Sequence, residues 1–183
     1  MKKLTLLFVA VAFSLTQMVA QESTFQKGDK VLNVAVGFGS SLYSGSGYTT
    51  SVPPLSASFE IGVKDGVLEK GSIGVGGLFA YAARKWEYAG WGWKYTNVII
   101  GARGTFHYPL VDKLDTYTGL VLGYNIVSAT EIGTIGSGYA AKASGVAYSW
   151  FVGARYYFTD SFAALGELGV GISYINIGVA LKF

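Results

Sequence analysis

The sequence predicts an all-β chain whose eight antiparallel strands close up-and-down into a membrane-spanning β-barrel. Three observations carry that expectation. Segments in which apolar residues alternate with small or polar ones recur down the chain, as half-buried strands require, because successive side chains point to opposite faces. Charged residues make up only 14% of the 183 residues, against about 25% in an ordinary soluble domain. Glycine, at 26 residues, and aromatics, at 15%, are abundant; the usual glycine share is roughly 7%.

The first twenty residues, MKKLTLLFVAVAFSLTQMVA, set Lys2 and Lys3 ahead of a short apolar stretch and end on Ala20. That is the layout of a cleaved secretory signal peptide, too short and too poorly flanked for a membrane anchor. Residues 21–183 then form one domain. Without Lys2 and Lys3 it carries 12 basic and 11 acidic residues, with no basic patch interleaved with aromatics, so nucleic acid is not an expected partner. Cysteine is absent, which excludes disulfides, thiolate metal sites and a lipid-modified cysteine.

The strands follow in order. Val31 to Phe38 sets Leu32, Val34, Val36 and Phe38 against Asn33, Ala35 and Gly37. A polar, glycine-rich loop leads to "PPLSASFEIGV", residues 53–63, which alternates again, and "KDG" at 64–66 reads as a turn. The third strand spans about 71–83, and "RKWEYAGWGWKY" reads as a loop. Asn97 to Tyr108 is the fourth strand, ended by Pro109, with a short turn over 109–115. Thr116 to Ile126 is the fifth, followed by a long loop over 128–144. Ala147 to Phe158 is the sixth, and Phe162 to Gly171 the seventh after the turn "TDS". The chain closes on an alternating run to Phe183. A two-residue turn at Ile172 and Ser173 pairs Gly171 with Tyr174, Glu167 with Gly178 and Phe162 with Phe183.

The other face decides where the apolar one looks. A soluble barrel shows water long charged side chains, whereas here the second face holds Gly37, Ser56, Ser58, Gly153, Ala163, Gly169, Gly178 and Ala180. Those suit a narrow enclosed interior. The charges on that face are Glu60, Arg103, Arg155, Glu167 and Lys182, and enclosed charges must be paired, so an ion network is expected in the lumen. Arg155 falls opposite Leu165 and diagonal to Glu167, within reach of it. Aromatics gather at strand ends: Phe106, Tyr108, Phe158, Phe162 and Phe183 at the short-turn end, and Tyr88, Trp91, Trp93 and Tyr95 by a long loop. Membrane barrels carry such girdles around an apolar band about 25 Å tall, and at that depth only a closed sheet satisfies every backbone group.

With "PPLSASFEIGV", "FVGARYYFTDSFAALGELGVG" and the terminal "INIGVALKF" on the page, the chain resembles the small outer-membrane β-barrel proteins of Gram-negative bacteria, of the OmpX and OmpA-transmembrane type. The resemblance covers residues 30 to 183. It implies location in the cell outer membrane, contact with lipid and lipopolysaccharide, and a monomer. It also implies that Ile175, Ile177, Val179, Leu181 and Phe183 form the C-terminal signal read by the barrel-assembly machinery. Both termini and the short connections would face the periplasm, and the long loops the outside.

The expected role is structural or one of cell-surface interaction, with Trp86, Tyr88, Trp91 and Trp93 as candidate surface-loop aromatics that could equally form an interfacial girdle. A porin-like narrow channel for small solutes is the alternative, opposed by the inward charges. A lipid A-modifying enzyme is a weaker one, since the one histidine, His107, is followed by "YP" rather than by a serine two places on. His107 reads as a structural lumen residue. No catalytic set, cofactor site or metal-ligand cluster is expected.

Overall fold

The computed structural model describes residues 24–42, 47–133 and 144–183; the expected signal peptide lies outside them. Eight strands follow in chain order: β1 (Lys30–Phe38), β2 (Tyr48–Val67), β3 (Gly71–Tyr88), β4 (Trp91–Val111), β5 (Leu114–Ile132), β6 (Gly145–Tyr157), β7 (Phe162–Val170) and β8 (Ile175–Lys182). Each pairs antiparallel with its neighbour, and β8 returns to β1 (Val31↔Lys182 to Phe38↔Ile175), closing the barrel.

The alternation sorts as expected. Val34, Ile100, Leu122, Val152 and Ile177 stand exposed on the outside, whereas Asn33, Ser58, Glu60, Arg103 and Arg155 are buried within. The interior also takes bulky apolar groups. Ile99, Tyr117, Val121, Phe151 and Leu165 pack together inside, with Ile172 above them and Leu42 against the cluster. Eight strands leave an interior just wide enough for side chains to fill. Two inner glycines show how tightly it is filled: a Cβ at Gly153 would come 2.8 Å from the Tyr117 ring, and one at Gly74 2.5 Å from Glu60 Oε1.

Several connections differ from the sequence reading. "KDG" is not a turn. Gly66, at φ +72°, sits in an irregularity of β2 between Lys64 and Val67, and the chain reverses at Leu68, Glu69 and Lys70. Pro109 does not end β4, which runs on to Val111 and turns at Asp112 and Lys113. Because β3 pairs with β4 only as far as Ser72↔His107, the missing proline N–H leaves no ladder bond unmade on that side. "RKWEYAGWGWKY" is not a loop but the top of a hairpin, with Lys85↔Lys94, Trp86↔Trp93 and Tyr88↔Trp91 paired. Its two-residue turn is Ala89 and Gly90, both at positive φ, the geometry that matches strand twist.

The last hairpin keeps its faces but not its register. Phe162 pairs with Leu181 and Glu167 with Asn176, two residues from the expected partners. Its connection therefore spans Gly171 to Tyr174 and is pinned from across the barrel mouth. Tyr174 N–H donates to Phe38 O (3.1 Å), Ser41 N–H donates to Gly171 O (3.1 Å), and Ile172 and Ser173 are buried.

Candidate functional site

The inward charges meet in the lower half of the lumen, toward the short turns. Glu60 on β2, Arg103 and His107 on β4, Asp115 on β5, Arg155 on β6 and Glu167 on β7 are all buried. The strand positions dictate this. Glu60 lies across from Gly76, Gly76 from Arg103 and Gly153 from Glu167, so glycines beside the long side chains leave room for them.

Arg155 spans two carboxylates, its Nη2 donating to Glu60 Oε2 (2.8 Å) and its Nη1 to Asp115 Oδ2 (2.9 Å). His107 lies between the same two acids, Nε2 at 2.5 Å from Glu60 Oε1 and Nδ1 at 2.7 Å from Asp115 Oδ1. Thr105 Oγ1 donates to Glu60 Oε1 (2.7 Å). Arg103 Nη2 donates to Glu167 Oε1 (2.6 Å), which also accepts from the Tyr117 hydroxyl (2.9 Å). The guanidinium of Arg103 lies 4.0 Å over the Phe151 ring, and that of Arg155 4.6 Å over Tyr117. With both nitrogens of His107 carrying protons, three acids face three cations and the cluster is neutral. Buried charges persist only when paired and hydrogen-bonded in this way.

The expected network is thus present for Glu60, Arg103, Arg155 and Glu167, with two differences. Arg155 does not reach Glu167; Asp115 and Glu60 hold it instead. Lys182 lies apart at the barrel end, where its Nζ is 3.7 Å from Asp29 and donates to Thr24 O (3.2 Å). Asp115 and His107 complete the centre. Asp115 falls in the segment that the sequence reads as a turn; with β5 beginning at Leu114, its parity with Tyr117 points it inward.

Above the Arg103–Glu167 pair is a cavity of about 20 Å³ lined by Ser149, Ser173 and Asn176 among others, room for one water at most. Ile172 also lines it, and Leu42 packs against the same apolar cluster. No group of acidic or histidine residues among the described residues could hold a metal ion.

The second candidate, the aromatic set, lies at the other end. β3 and β4 pair without interruption from Ser72↔His107 to Tyr88↔Trp91, so the parity that turns Arg103, Ile99 and Asn97 inward also governs Tyr95, Trp93 and Trp91. Trp86 and Tyr88, opposite Trp93 and Trp91, share that face, as does Tyr48 opposite Trp86. Trp86 and Trp91 meet edge to face at 5.4 Å, and Tyr88 and Trp91 at 6.4 Å. The outer face of the same hairpin carries Lys85, Glu87 and Lys94, with Lys85 Nζ 2.6 Å from Glu87 Oε2. The four candidate aromatics therefore stand on the lumen-side face, not on the outward face that an interfacial girdle occupies. Ile175, Ile177, Val179, Leu181 and Phe183 all face outward and are exposed, Phe183 stacking 6.3 Å from Phe59.

No protein-family model and no curated sequence matches the chain. Solved structures do. The outer membrane protein OprG from Pseudomonas aeruginosa is 10% identical, with 88% of this chain covering 99% of that one at a TM-score of 0.53. The N-terminal β-barrel domain of Pseudomonas aeruginosa OprF is 13% identical over 86% of this chain and 98% of its own (TM-score 0.49). Ail, the attachment invasion locus protein of Yersinia pestis, is 12% identical over 86% and 100% (TM-score 0.48). At such identity the likeness to OprG is one of chain trace, and it agrees with the strand order seen here: the chain has the fold of a small, closed, eight-stranded up-and-down β-barrel.

Proposed function

We propose that this chain is a small integral outer-membrane protein, exported on a cleaved signal peptide over residues 1–20, whose role is structural or one of cell-surface interaction and not enzymatic. One observation carries the reading: the wall is inside out relative to a soluble protein. Large apolar side chains circle the outside, with Leu122 65% and Ile177 59% exposed, while Glu60 and Arg155 are wholly buried. A monomer in water does not expose a continuous apolar belt of this extent. OprG, whose fold the chain shares, is by its name an outer membrane protein.

The filled lumen argues against passage of solutes. Ion pairs cross it between β2, β4, β5, β6 and β7, with Ile172 above and Phe25 below. His107 has acidic neighbours, but it is buried and covered by the Phe25 ring, away from any surface where a lipid could bind. Surface contact, with lipopolysaccharide or another partner, falls to the β3–β4 hairpin and its aromatic face.

The purified protein is expected to stay in solution only with detergent or lipid, and to give no steady single-channel current in planar bilayers. A water-soluble monomer would overturn the membrane reading. Steady conductance that mutation of Arg103 or Arg155 alters would overturn the filled interior and favour a narrow channel. Lipid A of unchanged mass, with and without the protein, is the expected result for a non-enzyme.

A further inference from the structure

Residues 24–29, ahead of β1, lie across the short-turn mouth of the barrel. Phe25 is fully buried, its ring stacked 4.0 Å from His107 at 23° and joined to a small apolar cluster of Val31, Tyr157, Ala163 and Ala180. The polar contacts that hold the segment come from separate strands. Ser72 Oγ–H donates to Phe25 O (2.8 Å), and Lys182 Nζ donates to Thr24 O (3.2 Å). Gly28 N–H donates to Gly62 O (2.9 Å), Gly62 N–H to Asp29 O (2.9 Å), and Lys27 N–H to Asp65 Oδ1 (2.7 Å).

Two features separate this segment from the wall. It is outside every strand, and the closure of β1 on β2 and β8 is complete without it. It also turns sharply where Asp29 N–H donates to Gln26 O (3.1 Å), with Gly28 at φ +95°, a conformation that glycine adopts freely. That turn joins a buried ring to an exposed stretch and can serve as a pivot. The wall is shaped to receive it: a Cβ at Gly62 would lie 2.0 Å from Gln26 O, so only glycine lets the segment lie down there.

We propose that residues 24–29 are a built-in stopper, with Phe25 as the bung seated on His107, and that its withdrawal about Gly28 admits water and small solutes to the charge cluster from the short-turn side. The device goes beyond the structural role proposed above, and it does not depend on what the hairpin at the other end contacts.

The chain has no cysteine, so Ser72→Cys, at a buried site under the segment, supplies a single thiol in the full chain folded in detergent. A water-soluble maleimide should label it slowly. Phe25→Ala, which removes the bung, and Gly62→Val, which collides with the segment's backbone, should each raise the rate at least tenfold. A single thiol at Thr159→Cys, in an exposed turn, should label at one rate in all backgrounds. Heat-modifiable gel mobility reports that the barrel is folded, and Phe25→Ala suffices if Gly62→Val does not fold. Urea below the unfolding transition should speed labelling of Ser72→Cys alone and leave the releasing variants unchanged. Equal rates with and without Phe25 would overturn the proposal. So would labelling that follows only global unfolding, because the segment would then be part of the cooperative core.

Discussion

Strands β7, β8 and β1 run 9, 8 and 9 residues, whereas β2 to β5 run 20, 18, 21 and 19. At about 3.3 Å per residue the short strands are roughly 26–30 Å long, and at the tilt of about 35–45° usual in such barrels they rise about 19–24 Å, close to an apolar band of about 25 Å. The tall wall is about twice that. Its lower half repeats the short wall's polarity, with Val75, Phe79, Ile100, Leu120 and Leu122 outside. Its upper half reverses it: Lys85, Glu87, Lys94 and Ser128 face out, and Trp86, Tyr88, Trp91 and Trp93 face the axis. β6 pairs with β5 only up to Gly145↔Asn125, so β5 runs seven residues further, to Ile132. On the membrane reading proposed above, one unbroken alternation serves two solvents, and the identity of the outward residues marks where one ends, near Tyr81, Val98 and Ile126.

The largest test of this division addresses the lumen that both walls enclose. Arg155→Ala removes the cation that bridges Glu60 and Asp115 and leaves three buried acids facing only His107 and Arg103, and breaking such a buried pair costs about 3–5 kcal/mol. Lys182→Ala, at the half-exposed barrel end, should cost under about 1 kcal/mol. Urea unfolding in lipid vesicles measures both. A loss below 1 kcal/mol for Arg155→Ala would mean that water reaches the cluster.

Next comes the wall itself. Val179 lies midway along β8 and faces out, so Val179→Arg should destabilise by about 2–4 kcal/mol. Ser128→Arg, outward on the upper part of β5, should stay within about 0.5 kcal/mol. Equal penalties would erase the boundary placed between the two halves. A double-mutant cycle of Trp86→Ala and Trp91→Ala should return a coupling of about 0.5–1.5 kcal/mol for their edge-to-face contact. The four tryptophans sharpen the same contrast. Trp150 alone among them faces outward on the lower wall, so if that wall meets lipid, brominated lipid should quench the wild type and spare Trp150→Phe.

Much of this is legible in the sequence, and the misses have physical reasons. Glu60, Arg103, Arg155 and Glu167 were found because a strand's parity is read within ten residues. Which of them pair was not, because Glu60 and Arg155 are 95 residues apart and alternation carries no information about barrel cross-sections. The final hairpin slipped by two because a shift of two leaves each residue on its own face; Phe38, Ser41 and Gly171 fix it from a distance. The upper hairpin, which the sequence reads as a loop, does carry a local signal. Aromatics at 86, 88, 91 and 93 around an Ala-Gly pair are a two-residue turn between alternating runs, masked by the polar residues between them. Phe25 lacked any local sign, since a lone ring in a polar segment reveals its seat only when the barrel is closed.

The smallest effect is the most pointed test of the reversal. Lys85 and Glu87 form a 2.6 Å pair on the outer face of the hairpin, both more than a third exposed. If that face stands in water, Glu87→Gln loses one exposed ion pair, a change of about 0–1 kcal/mol that salt reduces. If it stood in hydrocarbon, the pair would be desolvated and Glu87→Gln would leave Lys85 charged without a partner, a several-fold larger loss that salt does not screen. Unfolding at low and high ionic strength separates the two. A small, salt-sensitive loss keeps the upper tall wall outside the bilayer, and a large, salt-independent one would move the boundary up past Glu87.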